Sequence, residues 1–151
     1  MKKRKDRARA ELDREPKTQF AALPWRKTDG VVEVLMITSR DTGRWVIPKG
    51  WPMKKLGPHR AAAQEAFEEA GVTGLPLRKS IGVYHYDKRL RTGRSQHVRV
   101  FVFPLAVAAE HDDWPEKGQR ERRWISPGEA AALVDEPELR RLLARFSPAE
   151  G

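Results

Sequence analysis

The chain has 151 residues, a formal net charge of +9 and no cysteine. This length suits one domain with its own hydrophobic core, and the missing cysteines exclude a disulfide framework and a thiolate metal site. No apolar run approaches the roughly 18 residues that a membrane span needs. The first residues lack the apolar core of a secretory signal, so we expect a cytoplasmic protein.

The positive charge is spread over two parts of the chain. Residues 1–17 hold eight Lys or Arg and four Asp or Glu, which is typical of a basic, flexible tail. We predict that residues 18–147 form a single domain. Because cations are also in excess there, an anionic partner is indicated, such as a phosphorylated small molecule, a nucleic acid or an acidic surface.

The first half of the chain predicts strands followed by a helix. Residues 31–39 are almost continuously apolar and β-branched, which favours a central strand. Pro58 at a first helical position and Gly71 at a stop position bracket the helix. In chain order the predicted elements are strands over 19–26, 31–39 and 45–48, a Gly/Pro/Lys loop over 50–57, and a helix over 58–70.

The second half of the chain predicts more strands and two short helices. Ser126 is followed by proline and then by Glu129, a capping-box arrangement at a helix start. The predicted elements are strands over 80–88, 97–107 and 122–126, and helices over 126–134 and 137–146. This order favours an α/β fold in which one mixed sheet carries helices on its faces.

The helix over 58–70 separates small apolar residues from carboxylates, at about 100° per residue. The apolar set is Ala63, Ala66, Phe67 and Ala70. The acidic set is Glu65, Glu68 and Glu69. We predict that the apolar set packs on the sheet with Phe67 filling the interface, and that the acidic set faces a loop or solvent.

The acidic set has a chemical interpretation beyond a solvated helix face. Each pair of like charges at these spacings costs an isolated helix roughly 0.2–0.5 kcal/mol. A hard divalent cation removes this repulsion, because it binds carboxylate oxygens that converge from a rigid element. On a basic chain, the acidic set therefore predicts a metal that bridges the protein to a polyanionic phosphate.

The spacing around the acidic set resembles the signature of the Nudix hydrolases, G-x5-E-x7-R-E-U-x-E-E-x-G-U, where U is aliphatic. The chain matches this signature without a gap at Gly50, Glu65, Ala66, Glu68, Glu69, Gly71 and Val72. Leu56 stands where the first glutamate belongs, and Gln64 stands where the arginine belongs. These two departures predict fewer or weaker metals.

The resemblance implies an α/β/α sandwich around a mixed sheet, and hydrolysis of a diphosphate linkage with Mg²⁺ or Mn²⁺. By position, Glu65, Glu68 and Glu69 are the expected metal ligands, and the backbone carbonyl of Lys49 is another. Glu65 and Glu69 are the expected catalytic carboxylates. In this chemistry the metal lowers the pKa of a bound water, and a glutamate takes its proton.

Other candidate ligands lie outside the signature. Glu116 and Glu121 precede the last strand, where some members of the family place an additional carboxylate, and salt bridges to nearby arginines are the alternative. We add Glu116 to the expected metal ligands. The histidines are too scattered for a metal signature, and we expect surface or strand positions for all four: His59, His85, His97 and His111.

Basic residues near the signature indicate a substrate with many phosphates. The expected substrate-binding residues are Arg40, Arg44, Lys49, Lys54, Lys55, Lys88, Arg89, Arg91 and Arg94. Further cations lie before the last strand and at its start, namely Lys117, Arg120, Arg122 and Arg123. The segment "WVIPKGW" and the lysine-rich loop after it resemble the branch of the family that acts on diphosphoinositol polyphosphates and dinucleoside polyphosphates.

Two alternatives stay open, an RNA 5′-end pyrophosphohydrolase and a catalytically weak module that binds phosphate or RNA. RNA recognition needs exposed aromatic side chains for base stacking. Trp51, Trp114 and Tyr84 are candidates, and packing in the core or at its rim is the other interpretation of all three. No membrane partner is expected, and the oligomeric state is open.

Overall fold

The computed structural model describes residues 15–148. Most of the predicted basic tail lies outside these residues, so the tail stays a prediction. The strands are β1 (Lys17–Thr28), β2 (Val31–Thr38), β3 (Trp45–Val46), β4 (Lys49–Gly50), β5 (Val72–Pro76), β6 (Gly82–Arg89), β7 (Ser95–Glu110) and β8 (Arg122–Ile125). The helices are α1 (Pro58–Ala70), α2 (Pro127–Leu133) and α3 (Pro137–Arg145).

The eight strands form one mixed sheet. Its central path runs β3-β2-β1-β7-β5, while β8 also pairs with β2, β4 with β1, and β6 with β7. The long strands β1 and β7 are parallel, and every other pair is antiparallel. The predicted mixed sheet is confirmed.

Helices cover both faces of this sheet because successive side chains of a strand point to opposite sides. On β1, Leu23 belongs to a core that includes Leu139 and Leu143 of α3. Its neighbour Ala22 belongs to a second core that includes Ala66 of α1. The α/β/α sandwich that the resemblance implied is therefore confirmed.

Helix α1 has the predicted bounds, and Gly71 ends it in the left-handed region at φ +70°. The packing face predicted for this helix was wrong in part, because Phe67 does not fill the interface with the sheet. The buried residues are Ala61, Ala62, Ala66, Glu69 and Ala70. Phe67 is only half-buried and contacts the ring of His111 edge-on, with 5.5 Å between centroids. Alanines lie on several sides of this helix, so the sequence pattern did not define which side the sheet covers.

Two strands of the structure were missed by the sequence prediction. β4 is only two residues long, and β5 (Val72–Pro76) contains a glycine and a proline, both of which are depleted in strands. Gly74 lies at an irregularity of the β5–β7 pairing, where a Cβ atom would lie 1.9 Å from the carbonyl oxygen of Ala106.

Among the helices described between residues 15 and 148, none has the length and apolar character that a membrane crossing requires.

Candidate active site

A polar cleft lies where α1 meets the loop ends of the sheet, with a volume of about 270 Å³. It brings four carboxylates and four cationic side chains together. The carboxylates are Asp41, Glu65, Glu69 and Glu116. The cations are Arg40, Lys49, Lys88 and Arg120. The remaining lining residues are Gln19, Ser39, Gly50, Trp51 and Tyr86.

Gly50 makes room for the carboxyl group of Glu65. A Cβ atom built on Gly50 would lie 2.3 Å from both Cδ and Oε1 of Glu65, and 2.7 Å from Oε2. Any larger residue would displace this carboxyl group from the wall of the cleft. The glycine of the signature is therefore explained here by close approach between β4 and α1, with no requirement for an unusual backbone conformation.

Glu69 is the most buried acidic residue of the cleft, with 6% of its surface exposed. Burial raises its pKa from an ordinary 4.5 to about 9, a hydrogen bond with Glu65 contributes to the rise, and Arg120 opposes it. Burial also raises the pKa of Glu65. Arg120 Nη2 lies 3.5 Å from Glu69 Oε1. One cation thus adjoins two close carboxyl groups, which favours a proton between them when no other cation is bound.

Glu116 reaches the cleft because its loop is fastened to the end of α1. Its backbone N–H donates to the carbonyl oxygen of Glu68 at 3.0 Å. Its carboxylate accepts from Nε of Arg120 at 3.0 Å and lies 3.7 Å from Nε of Arg40. The structure therefore places Glu116 beside Glu69, with Arg120 between the two. Glu121 is exposed and does not line the cleft.

The donor set fits a hard divalent cation. Glu65 and Glu69 present carboxyl oxygens side by side, and burial raises the pKa of both groups. Within residues 15–148 no three His, Asp or Glu side chains form a ready-made metal cluster. A cation at this pair would therefore take further ligands from the backbone, water or a substrate phosphate, as Mg²⁺ commonly does.

Two lysines also line the cleft, Lys49 and Lys88. Lys49 is half-buried, and its Nζ lies 5.0 Å from the centroid of the Tyr86 ring. Burial lowers the pKa of Lys49, while the charge of Glu69 opposes this effect. The hydroxyl of Tyr86 donates to Oε1 of Gln19 at 2.7 Å. Among the described residues neither Lys49 nor Lys88 has a salt-bridge partner, so an anionic ligand would be their counter-charge.

Several predicted site residues do not line this cleft. Arg44 turns instead to the segment between α2 and α3, where Nη1 lies 2.9 Å from Asp135 and 3.3 Å from Glu136. Glu68 is half-buried next to the cleft, so the predicted acidic set converges as a pair and not as a trio. The other predicted residues outside the lining are exposed, namely Lys54, Lys55, Arg89, Arg91 and Arg94.

The two departures from the signature also lie outside the cleft. Leu56 and Gln64 line a separate open groove on the outer side of α1, together with His59 and Phe67. Neither residue faces the carboxyl groups of Glu65 and Glu69. The expectation of fewer metal ions or weaker metal binding, which rested on both departures, stays a prediction.

Sequence reasoning missed several residues of the cleft. Tyr86 could have been predicted, because it lies two residues before Lys88 and therefore on the same face of β6. Gln19 is 3% exposed, and a polar residue at an inward position of a predicted strand is the signal that identifies it. Ser39 and Asp41 lie in the turn after β2, where the sequence carries no comparable signal. All four histidines lie outside the lining of the cleft.

The cleft brings the carboxyl groups of Glu65 and the nearly buried Glu69 together with the side chains of Lys49 and Lys88. The model of the NUDIX domain matches residues 16–146, so the chain belongs to this family. Hydrolases of the family cleave phosphorus-containing anhydrides and generally use divalent metals. The sequence-based identification of the family is confirmed.

Relatives and solved structures agree with this membership. Nudix hydrolase 12, mitochondrial, of Arabidopsis thaliana is 35% identical over 118 residues, which is 76% of this chain but only 58% of that protein. Diphosphoinositol polyphosphate phosphohydrolase 2 of Rattus norvegicus is 30% identical over 148 residues, 92% of this chain and 78% of that protein. A C. elegans Ap4A hydrolase structure shares the fold, with a TM-score of 0.65 at 21% identity, covering 85% of this chain and 93% of that one. The cytoplasmic location stays a prediction.

Proposed function

We propose that the protein hydrolyses a diphosphate linkage in a polyanionic substrate, such as a diphosphoinositol polyphosphate or a dinucleoside polyphosphate, with Mg²⁺ or Mn²⁺. One observation carries the proposal. The carboxyl groups of Glu65 and Glu69 meet in a cleft that Lys49 and Lys88 also line, and among the described residues neither lysine has a salt-bridge partner. A bound metal would bring positive charge to the two carboxyl groups, and an anionic substrate would pair with the two lysines.

The residues of the cleft divide the chemical work between them. Glu65 and Glu69 would hold the cation, and the backbone carbonyl of Lys49 is the further ligand we propose. When bound, the cation neutralises phosphate oxygens and lowers the pKa of a coordinated water. Nη2 of Arg120 lies 3.0 Å from Glu116 Oε1 and 3.5 Å from Glu69 Oε1, which makes Glu116 a candidate to bind metal or to accept the proton of the water.

The substrate class is supported by charge. Four cations line the cleft, and the hairpin between β6 and β7 continues from Lys88 into the exposed residues Arg89, Arg91 and Arg94. This arrangement suits a substrate whose phosphates extend from the cleft along the hairpin. The name of the Rattus norvegicus relative indicates such a substrate for that protein, and the shared length of 148 residues makes it a reasonable first compound to assay here.

The test is hydrolysis of a panel of diphosphate compounds with Mg²⁺ or Mn²⁺. The panel holds a diphosphoinositol polyphosphate, a dinucleoside polyphosphate, a 5′-triphosphorylated RNA and a nucleotide sugar. We expect the first two to react fastest, and we expect Glu69→Gln to lower kcat/KM by at least about a hundredfold. If every compound stayed intact with either metal, the proposal that the protein is an enzyme would be refuted. Binding without turnover would indicate a phosphate-binding module.

Measuring affinity at several ionic strengths distinguishes a site for polyanionic substrates from a site that accepts any diphosphate compound. Affinity should rise with the number of substrate phosphates and fall as salt is added. Lys88→Ala should weaken the polyphosphorylated substrates more than the nucleotide sugar. Lys27→Ala is the matched control, because Lys27 is exposed on β1 and lies outside the cleft. If the nucleotide sugar were the best substrate and Lys88→Ala changed nothing, the polyanion proposal would be wrong.

A further inference from the structure

A second groove, separate from the active-site cleft, lies between the outer side of α1 and the strand β5. Its volume is about 810 Å³, within the range of roughly 300–1,000 Å³ that is typical of ligand pockets. None of its lining residues also lines the cleft. The proposed hydrolysis therefore gives this groove no role.

Strand β5 borders the groove with an unpaired edge. It ends the central path of the sheet, and among the described strands it pairs only with β7. Four consecutive residues, 73–76, line the groove. Because successive side chains of a strand point to opposite sides, a run of four residues lines a groove only where the groove follows the edge of the strand. The groove thus follows β5 for about 13 Å.

Backbone hydrogen bonds identify the residue of β5 that faces this edge. The N–H of Leu77 donates to the carbonyl oxygen of Pro104 at 2.9 Å, and the carbonyl oxygen of Gly71 accepts from the N–H of His111 at 2.8 Å. In an antiparallel pair, alternate residues of a strand bond to the same neighbour, so the odd-numbered residues from 71 to 77 face β7. Gly74 therefore directs its N–H and C=O to the unpaired edge, and no side chain covers them.

The side chains of the groove combine apolar surface with positive charge. Leu75 has 77% of its surface exposed, the largest fraction among the large apolar residues that the structure describes. Arg60 and Arg78 are exposed, and within residues 15–148 neither has a salt-bridge partner. The described lining of the groove contains no aspartate or glutamate. A ligand of this groove would therefore supply both negative charge and apolar groups.

Both departures from the Nudix signature lie in this groove. Leu56 and Gln64 line it, at the positions where the signature has a glutamate and an arginine. A glutamate at position 56 would bring a carboxylate to the groove. Leucine instead adds apolar surface and leaves Arg60 and Arg78 without a counter-charge. The departures thus change the chemistry of this groove and not the lining of the cleft.

We propose that this groove binds an extended acidic peptide of a partner protein, which adds to the edge of β5 as a further strand. The backbone of the peptide bonds to Gly74, its carboxylates pair with Arg60 and Arg78, and its apolar side chains pack on Leu75 and Leu56. Unpaired strand edges are templates for such strand addition. A second copy of this chain is a poorer match, because a symmetric pairing of two β5 edges brings the same cations together.

Fluorescence anisotropy with a labelled peptide tests the binding. The probe is a capped peptide of about eight residues in which glutamate and valine alternate, and the matched peptide has lysine in place of glutamate. The acidic peptide should bind at least about tenfold more tightly, and Arg78→Glu should weaken it by at least about tenfold. Lys17→Glu makes the same change in net charge at an exposed residue at the start of β1 and should leave the affinity within about twofold. Lys88→Glu should do the same, because Lys88 lines the cleft and not the groove.

Amide hydrogen exchange, measured by NMR, tests the strand addition. Binding of the acidic peptide should slow exchange of the Gly74 amide by at least about tenfold, because this N–H gains an acceptor. Leu77 is the control on the same segment, since its N–H already donates to Pro104 and its exchange should change little.

Several results would overturn the proposal. The acidic peptide might show no binding up to about 1 mM, bind no better than the lysine peptide, or leave the exchange of the Gly74 amide unchanged. Equal weakening by Lys88→Glu would mean that the peptide enters the cleft instead. If sedimentation showed a dimer in which the Gly74 amide is protected without peptide, a second copy would be the occupant. None of these results bears on the proposed hydrolysis, which the panel of diphosphate compounds tests separately.

Discussion

Replacing Glu69 by glutamine should stabilise the metal-free protein at neutral and alkaline pH while it abolishes hydrolysis. Burial raises the pKa of this carboxyl from 4.5 to about 9, so between these values the folded protein holds a proton that the unfolded chain releases. Its stability therefore falls as pH rises through this window. Glutamine carries no proton to lose, and the variant should lack this part of the pH dependence.

The size of the effect follows from one proton. A difference of one bound proton changes the free energy of unfolding by about 1.4 kcal/mol per pH unit. Between pH 6 and pH 8 the metal-free wild-type protein should thus lose about 3 kcal/mol relative to Glu69→Gln. At about 2–4 °C per kcal/mol for a chain of this size, the difference in Tm should grow by about 6–12 °C.

The measurement is the Tm of the wild-type protein and of Glu69→Gln in the presence of a chelator, at half-unit steps of pH. Glu68→Gln is the matched control, because Glu68 is the adjacent carboxylate on the same helix and lies outside the cleft; it should follow the wild-type pH dependence. Adding Mg²⁺ at pH 8 should raise the Tm of the wild-type protein and not that of Glu69→Gln, since the cation replaces the proton. Parallel pH curves for wild type and Glu69→Gln, or equal shifts with Mg²⁺, would refute the reasoning.

Two glycine substitutions test the close contacts of α1. Gly50→Ala should lower kcat/KM, measured in steady-state assays, by about 10- to 100-fold with little change in Tm, since its Cβ would lie 2.3 Å from the Glu65 carboxyl group. A variant with full activity would contradict this prediction. Gly71→Ala should cost about 2–4 kcal/mol in urea unfolding, because φ is +70° and its Cβ would lie 2.5 Å from the Trp114 ring. Gly118→Ala has φ +84° with open space around it, so it should lose only about 1–2 kcal/mol, and equal losses would be evidence against the ring contact.

The bounds of α1 and the family of the protein could be predicted from local sequence alone. Pro58 and Gly71 act through their own backbone preferences, a fixed φ and a left-handed φ, which require no tertiary contact. The signature is likewise a local pattern, since the one-turn spacing of Glu65 and Glu69 places them on one side of any α-helix. Element order then restricted the fold to a mixed sheet with helices on its faces.

The depth of each carboxyl group was decided by tertiary structure. Helical periodicity groups Glu65, Glu68 and Glu69 equally, but only Glu65 and Glu69 line the cleft, and Glu69 is nearly buried. The difference arises because β4 and the loop around Glu116 cover one edge of the helix. Burial is the largest cause of the raised pKa of Glu69, so the spacing of residues along the helix could not have predicted it.

Tertiary structure also decided which basic and aromatic residues line the cleft. Composition identified an excess of cations but could not separate Lys88, which lines the cleft, from Arg44, which pairs with Asp135 some ninety positions away. Trp51 and Trp114 were equivalent candidates in the sequence, yet one lies exposed at the cleft and the other packs on Gly71. Spacing within one helix or strand is a local property, whereas exposure and charge pairing depend on which distant segments the fold brings together.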